Sequence, residues 1–295
     1  MSGMQFTAAS SGTAHTNTSL KSRIGRLLLR VILLAQSLFV IYPLVWNVLA
    51  SFKTNKEVLL SPWSLPGSLN WDNFVRAFTT AKMGDYMFNS VMVVALSMAI
   101  TLAVVVPTAY VLARMKFPGR KFLTNVYMAG LFIQGVYVVV PIFLVMNDLH
   151  MLDNRFWLSA VYAAGSMAFS VYLLIGFLKS IPREYEEAAM IDGCGYFGTL
   201  FRIIVPMARP GIITVVIFSF FDFWNEYVLA MTFISSEHKK TIPVGLSNLF
   251  EIQRYATDWG SLFAGLVLVL IPTIVVYSLL QKKLTEGMML GGLKG

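Results

Sequence analysis

Long apolar runs separated by short polar stretches set the pattern of this chain. Six of them, at 27–50, 88–113, 122–146, 157–178, 210–233 and 260–281, are each long enough to cross about 30 Å of hydrocarbon at about 1.5 Å per residue. The pattern predicts an all-α integral membrane protein of six transmembrane helices. The first run follows a basic cluster at Lys21, Arg23, Arg26 and Arg30 and exceeds a secretory apolar core in length, so it is expected to be an uncleaved span. Residues 1–20 are rich in Ser, Thr and Ala, carry no charged side chain and show no apolar period; a disordered tail is expected. Pro43, Pro107, Pro141 and Pro272 fall inside spans, where neighbouring helices or water must replace the lost backbone bond. Ala160, Ala164 and Ala168, four apart on the fourth span, are expected to admit a close helix neighbour.

Composition agrees with this pattern. The chain is 57% hydrophobic and 13% charged with a mean hydropathy of +0.68, too little polar surface for a soluble globule. The net charge of +8 is spread beside the apolar runs instead of forming a basic face interleaved with aromatics, which argues against nucleic acid. Fifteen Lys and Arg lie on the side of the N-terminus (21, 23, 26, 30, 114, 116, 120, 121, 179, 183, 202, 209, 282, 283, 294) and eight on the other (53, 56, 76, 82, 155, 239, 240, 254). The positive-inside rule therefore predicts both termini, and the segment 179–209, in the cytoplasm. Cys194 is the only cysteine, and His15, His150 and His238 fall in unrelated polar segments, so neither a disulfide within the chain nor a metal site is expected.

The most polar segment of the second half is EYEEAAMIDGCGYFGTLFRIIVPMARP, residues 184–210. Ser180 can cap a helix, Pro182 suits its first turn, Glu184, Glu186 and Glu187 suit the positive end of its dipole, and Gly193 can stop it. A second helix is expected from Tyr196, Phe197, Leu200, Phe201 and Ile204, ending at Pro206. The text GCGYFG fits a nucleotide-binding glycine pattern, but an acidic helix precedes it where a strand is needed. Three glutamates in one turn also disfavour a hairpin lying on anionic lipid. A protein partner is the more economical reading.

Glu187-Ala188-Ala189, Asp192-Gly193, Phe201, Ile204, Pro206 and Pro210 resemble the EAA loop of the membrane subunits of ABC importers, and the Asp-Gly pair resembles the carbohydrate class. Cys194 stands where that family usually has alanine. SFKTNKEVLLSPWSLPGSLNWDNF from Ser51 is similar to the first outer loop of the maltose-transporter-type permease with short outer loops. Phe223-Trp224-Asn225-Glu226 resembles a stretch common in sugar permeases, and the terminal GGLKG resembles an extension that reaches the interface of the ATPase dimer.

The resemblance implies the type I ABC importer permease fold, with a transmembrane domain over 21–286, a coupling loop at 180–210 and a tail at 287–295 directed to the ATPases. It implies a second permease subunit, a dimer of cytoplasmic ATPases that hold ATP and Mg, an extracytoplasmic sugar-binding protein, and a prokaryotic plasma membrane. The chain itself is expected to need no cofactor and to catalyse no reaction. Glu187, Ala188, Ala189, Asp192, Gly193, Phe201 and Pro206 would couple to the ATPase, and Gly291, Gly292 and Lys294 would reach its interface. Asp222 and Glu226, four apart on the fifth span, are expected on one helical face and inside the bundle. With Trp224 and Asn225 they could line a sugar path or form a structural pair. The outer loop 234–258 could meet the binding protein or be a solvated connection. A permease for peptide, amino acid or phosphate stays open, as does, more distantly, a stand-alone carrier. An intramembrane enzyme finds no support, because the spans hold no His and a single Asp.

Overall fold

The computed structural model describes residues 20–133, 135–256 and 258–292. It divides into two compact units, Met1–Asn47 and Val48–Gly295. The first is occupied by α1 (Leu20–Ala50), a helix that continues through Pro43. The expected tail at 1–20 lies outside the described residues except for Leu20.

Among the described residues the second unit holds the remaining helices: α2 (Asn55–Leu60), α3 (Asp72–Phe78), α4 (Met83–Arg114), α5 (Arg120–Gly130), α6 (Gly135–Asp148), α7 (Arg155–Ser180), α8 (Glu184–Ile191), α9 (Tyr196–Gly198), a π-helical turn (Thr199–Ile204), α10 (Val205–Met207), α11 (Arg209–Asn225), α12 (Val228–Phe233), a 3-10 turn (Glu237–Lys239), α13 (Ile242–Ala256) and α14 (Trp259–Gly292). Among the described residues there is no strand. Four helices among the described residues, α1, α4, α7 and α14, are long and apolar enough to cross a membrane; two further bent pairs bring the possible number to six. The apolar run 122–146 is divided into α5 and α6 after Gly130.

The pair α4 and α7 forms the spine of this unit. Ser97, Thr101, Ser159, Ala163, Ser166 and Ser170 are buried, and the Thr101 and Ser166 hydroxyls meet at 3.3 Å. The close-approach face of α7 is thus 159/163/166/170. The expected alanine stripe lies one position away and admits a close neighbour at one end only: Ala164 is exposed, while Ala168 faces α5, where a side chain on Gly130 would come within 3.1 Å of it. Helical phase explains the shift, since one residue rotates the face by about 100°.

Two apolar clusters flank this seam. One gathers Tyr86, Val93, Leu158, Tyr162, Phe223, Trp224, Ile242 and Leu262. The other gathers Val105, Ala109, Leu112, Leu174, Leu178, Leu200 and Ile204.

Beyond the first cluster the connecting segments are folded rather than loose. Lys53 is buried and gives its ammonium to the carbonyls of Ser61 and Pro62 at 3.0 and 2.9 Å. The Asn73 amide donates to the carbonyls of Ser51 and Lys53, and Arg76 pairs with Asp258 at 2.9 Å. The 234–258 segment, expected to be a loop, contains the fifteen-residue helix α13. It is anchored on α4: the Asn89 amide donates to the carbonyls of His238 and Lys240, both at 2.9 Å, and Ile242 N–H donates to Ser90. Tyr86 donates to Glu237.

Asp153 ties the same segment to the start of α7. Its carboxylate accepts from Ser236 N–H at 2.8 Å, Ser236 O–H at 2.6 Å and Lys239 at 2.7 Å. Burial alone would push this carboxyl up, but the Lys239 and Ser236 bonds outweigh it and hold it well below the usual carboxylate range.

Two predictions follow from this packing. A Cβ on Gly245 would lie 2.0 Å from the Tyr86 ring, whereas one on Gly176 meets nothing within 4 Å. Gly245→Ala should lose about 1–3 kcal/mol by overpacking and lower the thermal midpoint in detergent, while Gly176→Ala should not. A carboxyl lowered by folding stabilises above its unfolded pKa of about 4, and that contribution fades as pH falls toward the folded value. Asp153→Asn should cost roughly 1–2 kcal/mol at neutral pH, discounted for partial exposure. It should also flatten the fall in melting midpoint between about pH 4 and pH 3.

Candidate functional site

The helical hairpin at 181–208 is built from the ends of α7 and α4. Ser180 is the last residue of α7, and its hydroxyl donates to the Phe177 carbonyl at 2.7 Å. It therefore does not cap α8, contrary to expectation; Arg183 holds the N-cap position and makes no side-chain cap bond. Pro182 precedes the helix for the same reason. The three first-turn glutamates of α8 then divide by helical phase. Glu186 and Ala189 turn inward and are buried, while Glu184, Glu187 and Ala188 are exposed.

Glu186 reaches Arg114, the last residue of α4, with Nε and Oε1 3.0 Å apart and side-chain exposures of only 6% and 10%. The approach is too oblique for a straight hydrogen bond and is an ion contact. The other arm of the guanidinium donates from Nη2 to the Ile181 carbonyl at 2.5 Å. No motif pointed to Arg114 or Glu186. The one available signal was that Glu186 shares a helix face with Ala189 and not with Glu187.

The end of α8 is a Schellman turn. Gly193 takes φ +79, its N–H bonds the Met190 carbonyl, and Cys194 N–H bonds the Ala189 carbonyl at 2.9 Å. Asp192 is the C-cap. Gly193 is thus placed where a left-handed residue is required.

Past Gly195 the chain runs from Tyr196 to Met207 as one helical path with a π turn in its middle. Pro206 does not end it, as had been expected. Proline lacks an N–H and crowds the carbonyl four residues back; the preceding turn widens instead, and Val205 N–H bonds the Leu200 carbonyl, five residues back. The path stops at Ala208 and turns by 75° into α11. Leu200 and Ile204 enter the core, and the opposite side is left open. Ile191 is 86% exposed, Phe197 78% and Tyr196 70%, with Met190 and Phe201 also exposed. Among the described residues neither Glu184 nor Glu187 has an ionic partner. The hairpin thus offers solvent an apolar surface edged with unpaired acids.

The second group of expected residues sits on and just after α11, and the structure separates its members. The helix ends at Asn225 and Glu226 is extended, so the fifth apolar run is broken, while Asp222 and Glu226 stay near enough to repel each other. Glu226 caps α12, accepting from Leu229 N–H at 2.8 Å and Ala230 N–H at 3.0 Å, and it takes the Tyr162 hydroxyl at 2.6 Å. Trp224 is buried and stacks on Phe220, with centroids 5.7 Å apart, so its faces are already occupied. The Asn225 amide is exposed and donates to the Phe221 carbonyl. Asp222 lines a cleft of about 430 Å³ with Ser166, Ser170 and Ser219 and with Phe169 and Phe218. This cleft combines hydroxyls, aromatic rings and one carboxylate.

Gly291 and Gly292 close α14, and Lys294 lies outside the described residues, as do the remaining tail residues from 293. Among the described residues no set of three or more His, Cys, Asp or Glu side chains is gathered for a metal ion.

Residues 105–289 match the family described as the binding-protein-dependent transport system inner membrane component. The chain belongs to this family. As an inner membrane component it is a multi-pass transporter subunit and not an enzyme, and the match takes in the whole hairpin, α11 and the cleft-lining part of α7.

Its relatives include the diacetylchitobiose uptake system permease protein NgcG of Streptomyces coelicolor, 35% identical over 86% of this chain and 84% of that one. The sulfoquinovosyl glycerol transport system permease protein SmoH of Agrobacterium fabrum is 35% identical over 90% and 91%. The component's fold is that of a bacterial ABC transporter involved in import of the acidic polysaccharide alginate, with a TM-score of 0.80 over 90% of this chain and 98% of that one at 24% identity.

Proposed function

We propose that this inner membrane component forms half of the translocation path of an ATP-driven importer for a carbohydrate, and that the 181–208 hairpin couples it to a cytoplasmic ATPase. The observation that carries the coupling reading is the hairpin surface itself. Ile191, Tyr196 and Phe197 are too exposed for a finished surface, and the free carboxylate of Glu187 suits a basic group at the floor of a docking cleft. The relatives support the solute class: permeases for diacetylchitobiose, sulfoquinovosyl glycerol and galactooligosaccharides are among them.

In this reading six helical spans cross a prokaryotic plasma membrane, with α5 and α6 as one broken span and α11 and α12 as another. At about 1.5 Å per residue α11 alone reaches only about 25 Å, and α12 completes the crossing. Both termini and the hairpin are cytoplasmic. A second permease subunit faces this one across the path, and two ATPases hold ATP and Mg. An extracytoplasmic binding protein delivers the sugar near α13, in keeping with a structure of the alginate transporter in complex with its alginate pentasaccharide-bound periplasmic protein. The residues at 287–295 extend toward the ATPases. When the ATPases close, the docked α8 moves as a body. The short helix with a Schellman stop suits a rigid movement better than a free linker would.

The cleft beside α11 is the part of the path this chain supplies. Asp222, exposed at the cleft, can bond sugar hydroxyls, and Phe169 can stack on a sugar face. Of the four residues expected there, Asp222 keeps that role, and Asn225 is open to it. Trp224 and Glu226 act on the fold.

Co-expression with candidate ATPases followed by affinity purification tests the coupling. The ATPase should copurify with the native chain and fall at least tenfold with Glu187→Arg, while Gly193→Pro, which breaks the Schellman turn, should abolish recovery or uncouple hydrolysis. Equal recovery in all three would remove the coupling reading. For the path, Asp222→Ala should cut uptake of a radiolabelled oligosaccharide at least fivefold with ATPase recovery unchanged; undiminished uptake would exclude Asp222 from sugar contact.

A further inference from the structure

We infer that Arg114 and Glu186 form a rigid joint through which α4 acts as a strut between the hairpin and the 237–242 segment at the opposite end of the unit. This inference rests on the coupling role proposed for α8. An eight-residue helix is not stable alone, and α8 buries little to hold it: its only inward residues are Glu186 and Ala189. Its attachment is therefore polar. One guanidinium grips both the helix, through Glu186, and the link leading into it, through Ile181. The two contacts use different nitrogens of one planar group, an ion contact to α8 and a hydrogen bond to its lead-in, so both are held on one guanidinium. A lysine, a point charge, cannot reproduce that fork.

Arg114 is also the last residue of α4, and α4 is anchored just as firmly at its other end. Tyr86, Asn89 and Ser90 hold Glu237, the His238 and Lys240 carbonyls, and Ile242. Between these points the helix runs unbroken from residue 83 to residue 114. Pro107 is its weak point, but Val105, Ala109 and Leu112 around it are buried in the cluster shared with α7, which holds the helix through the missing bond. One continuous helix is thus pinned at both ends to segments expected to meet different partners. A displacement of α8 must move α4, and with it the 237–242 segment, or break a buried ion pair.

Pulsed electron paramagnetic resonance on the full chain in nanodiscs tests the joint without any ATPase. On a Cys194→Ser background, spin labels at Tyr185→Cys on α8 and Phe88→Cys near the far end of α4 should give one narrow distance, on the order of 40 Å from the helical rise. Glu186→Gln and Arg114→Gln should each broaden that distribution at least twofold, and Arg114→Lys should not restore it. The charge swap of Arg114→Glu with Glu186→Arg should recover part of the narrowing. A control pair at Phe88→Cys and Phe156→Cys, spanning α4 and α7, should stay unchanged in every variant.

An unaltered α8 distance in both glutamine variants would overturn the joint. So would equal broadening of the control pair, because the ion pair would then be a general support of the fold. Because no ATPase is present, failure of the copurification test would leave this result standing, and failure here would leave the docking role of Glu187 standing.

Discussion

The close packing of α4 on α7 is the contact on which the other features hang. In a hydrocarbon surrounding, an apolar side chain gains little by leaving lipid for protein, so helices associate through near approach and internal hydrogen bonds. The seam of Ser97, Thr101, Ser159, Ala163, Ser166 and Ser170 supplies both. Its hydroxyls are satisfied locally: Ser97 donates to the Val93 carbonyl at 2.8 Å, and Ser159 donates to the Arg155 carbonyl at 2.8 Å. The two apolar clusters lie on either side of this seam, and both the hairpin and the α13 segment are fastened to the helices it joins. Bulkier residues here would part α4 from α7 and separate the two ends of the unit.

The same surroundings demand that every irregular backbone segment be re-satisfied. The break after α11 is tolerated because the Glu226 carboxylate accepts the first free N–H groups of α12 and is itself oriented by Tyr162. The π turn before Pro206 meets the same demand by shifting a bond by one carbonyl. In each case a residue that reads as a defect in an apolar run is the one that keeps backbone groups paired.

Much of this was legible in the amino-acid order. Long apolar runs need no tertiary context to become helices, and Gly193 after an acidic helix start marks a stop wherever it occurs. The helical period of 196–204 was legible too, but not that Tyr196, Phe197 and Phe201 face out while Leu200 and Ile204 face in. What stayed hidden depends on phase and on distant partners. The window 210–233 stays apolar on average despite Asp222, Asn225 and Glu226, so nothing in its mean hydropathy marks a break at Glu226. The 234–258 segment is mixed in polarity, and α13 became visible only once α4 and α14 lay beneath it. The face of α7 that meets α4 differs by one position from the alanine stripe, a difference that spacing by four cannot resolve. Arg114 and Glu186 lie far apart in the chain, and Glu186 was overshadowed by its neighbour in the motif.

Two pairs of carboxylates show how a small change of phase divides structural from functional work. Glu186 and Glu187 are consecutive, yet about 100° of rotation sends one into a buried ion pair and leaves the other free at the surface. Asp222 and Glu226 are four apart and would face the same way in a continuous helix, but the break at Glu226 gives that group backbone donors to satisfy and leaves Asp222 at the cleft. A buried charge is stable only with partners in place, so the inward member of each pair is committed to the fold. Only the outward member is free to meet something else. Residue type selects the carboxylate, but local geometry decides which of two neighbours holds the protein together and which is presented to a partner or a solute.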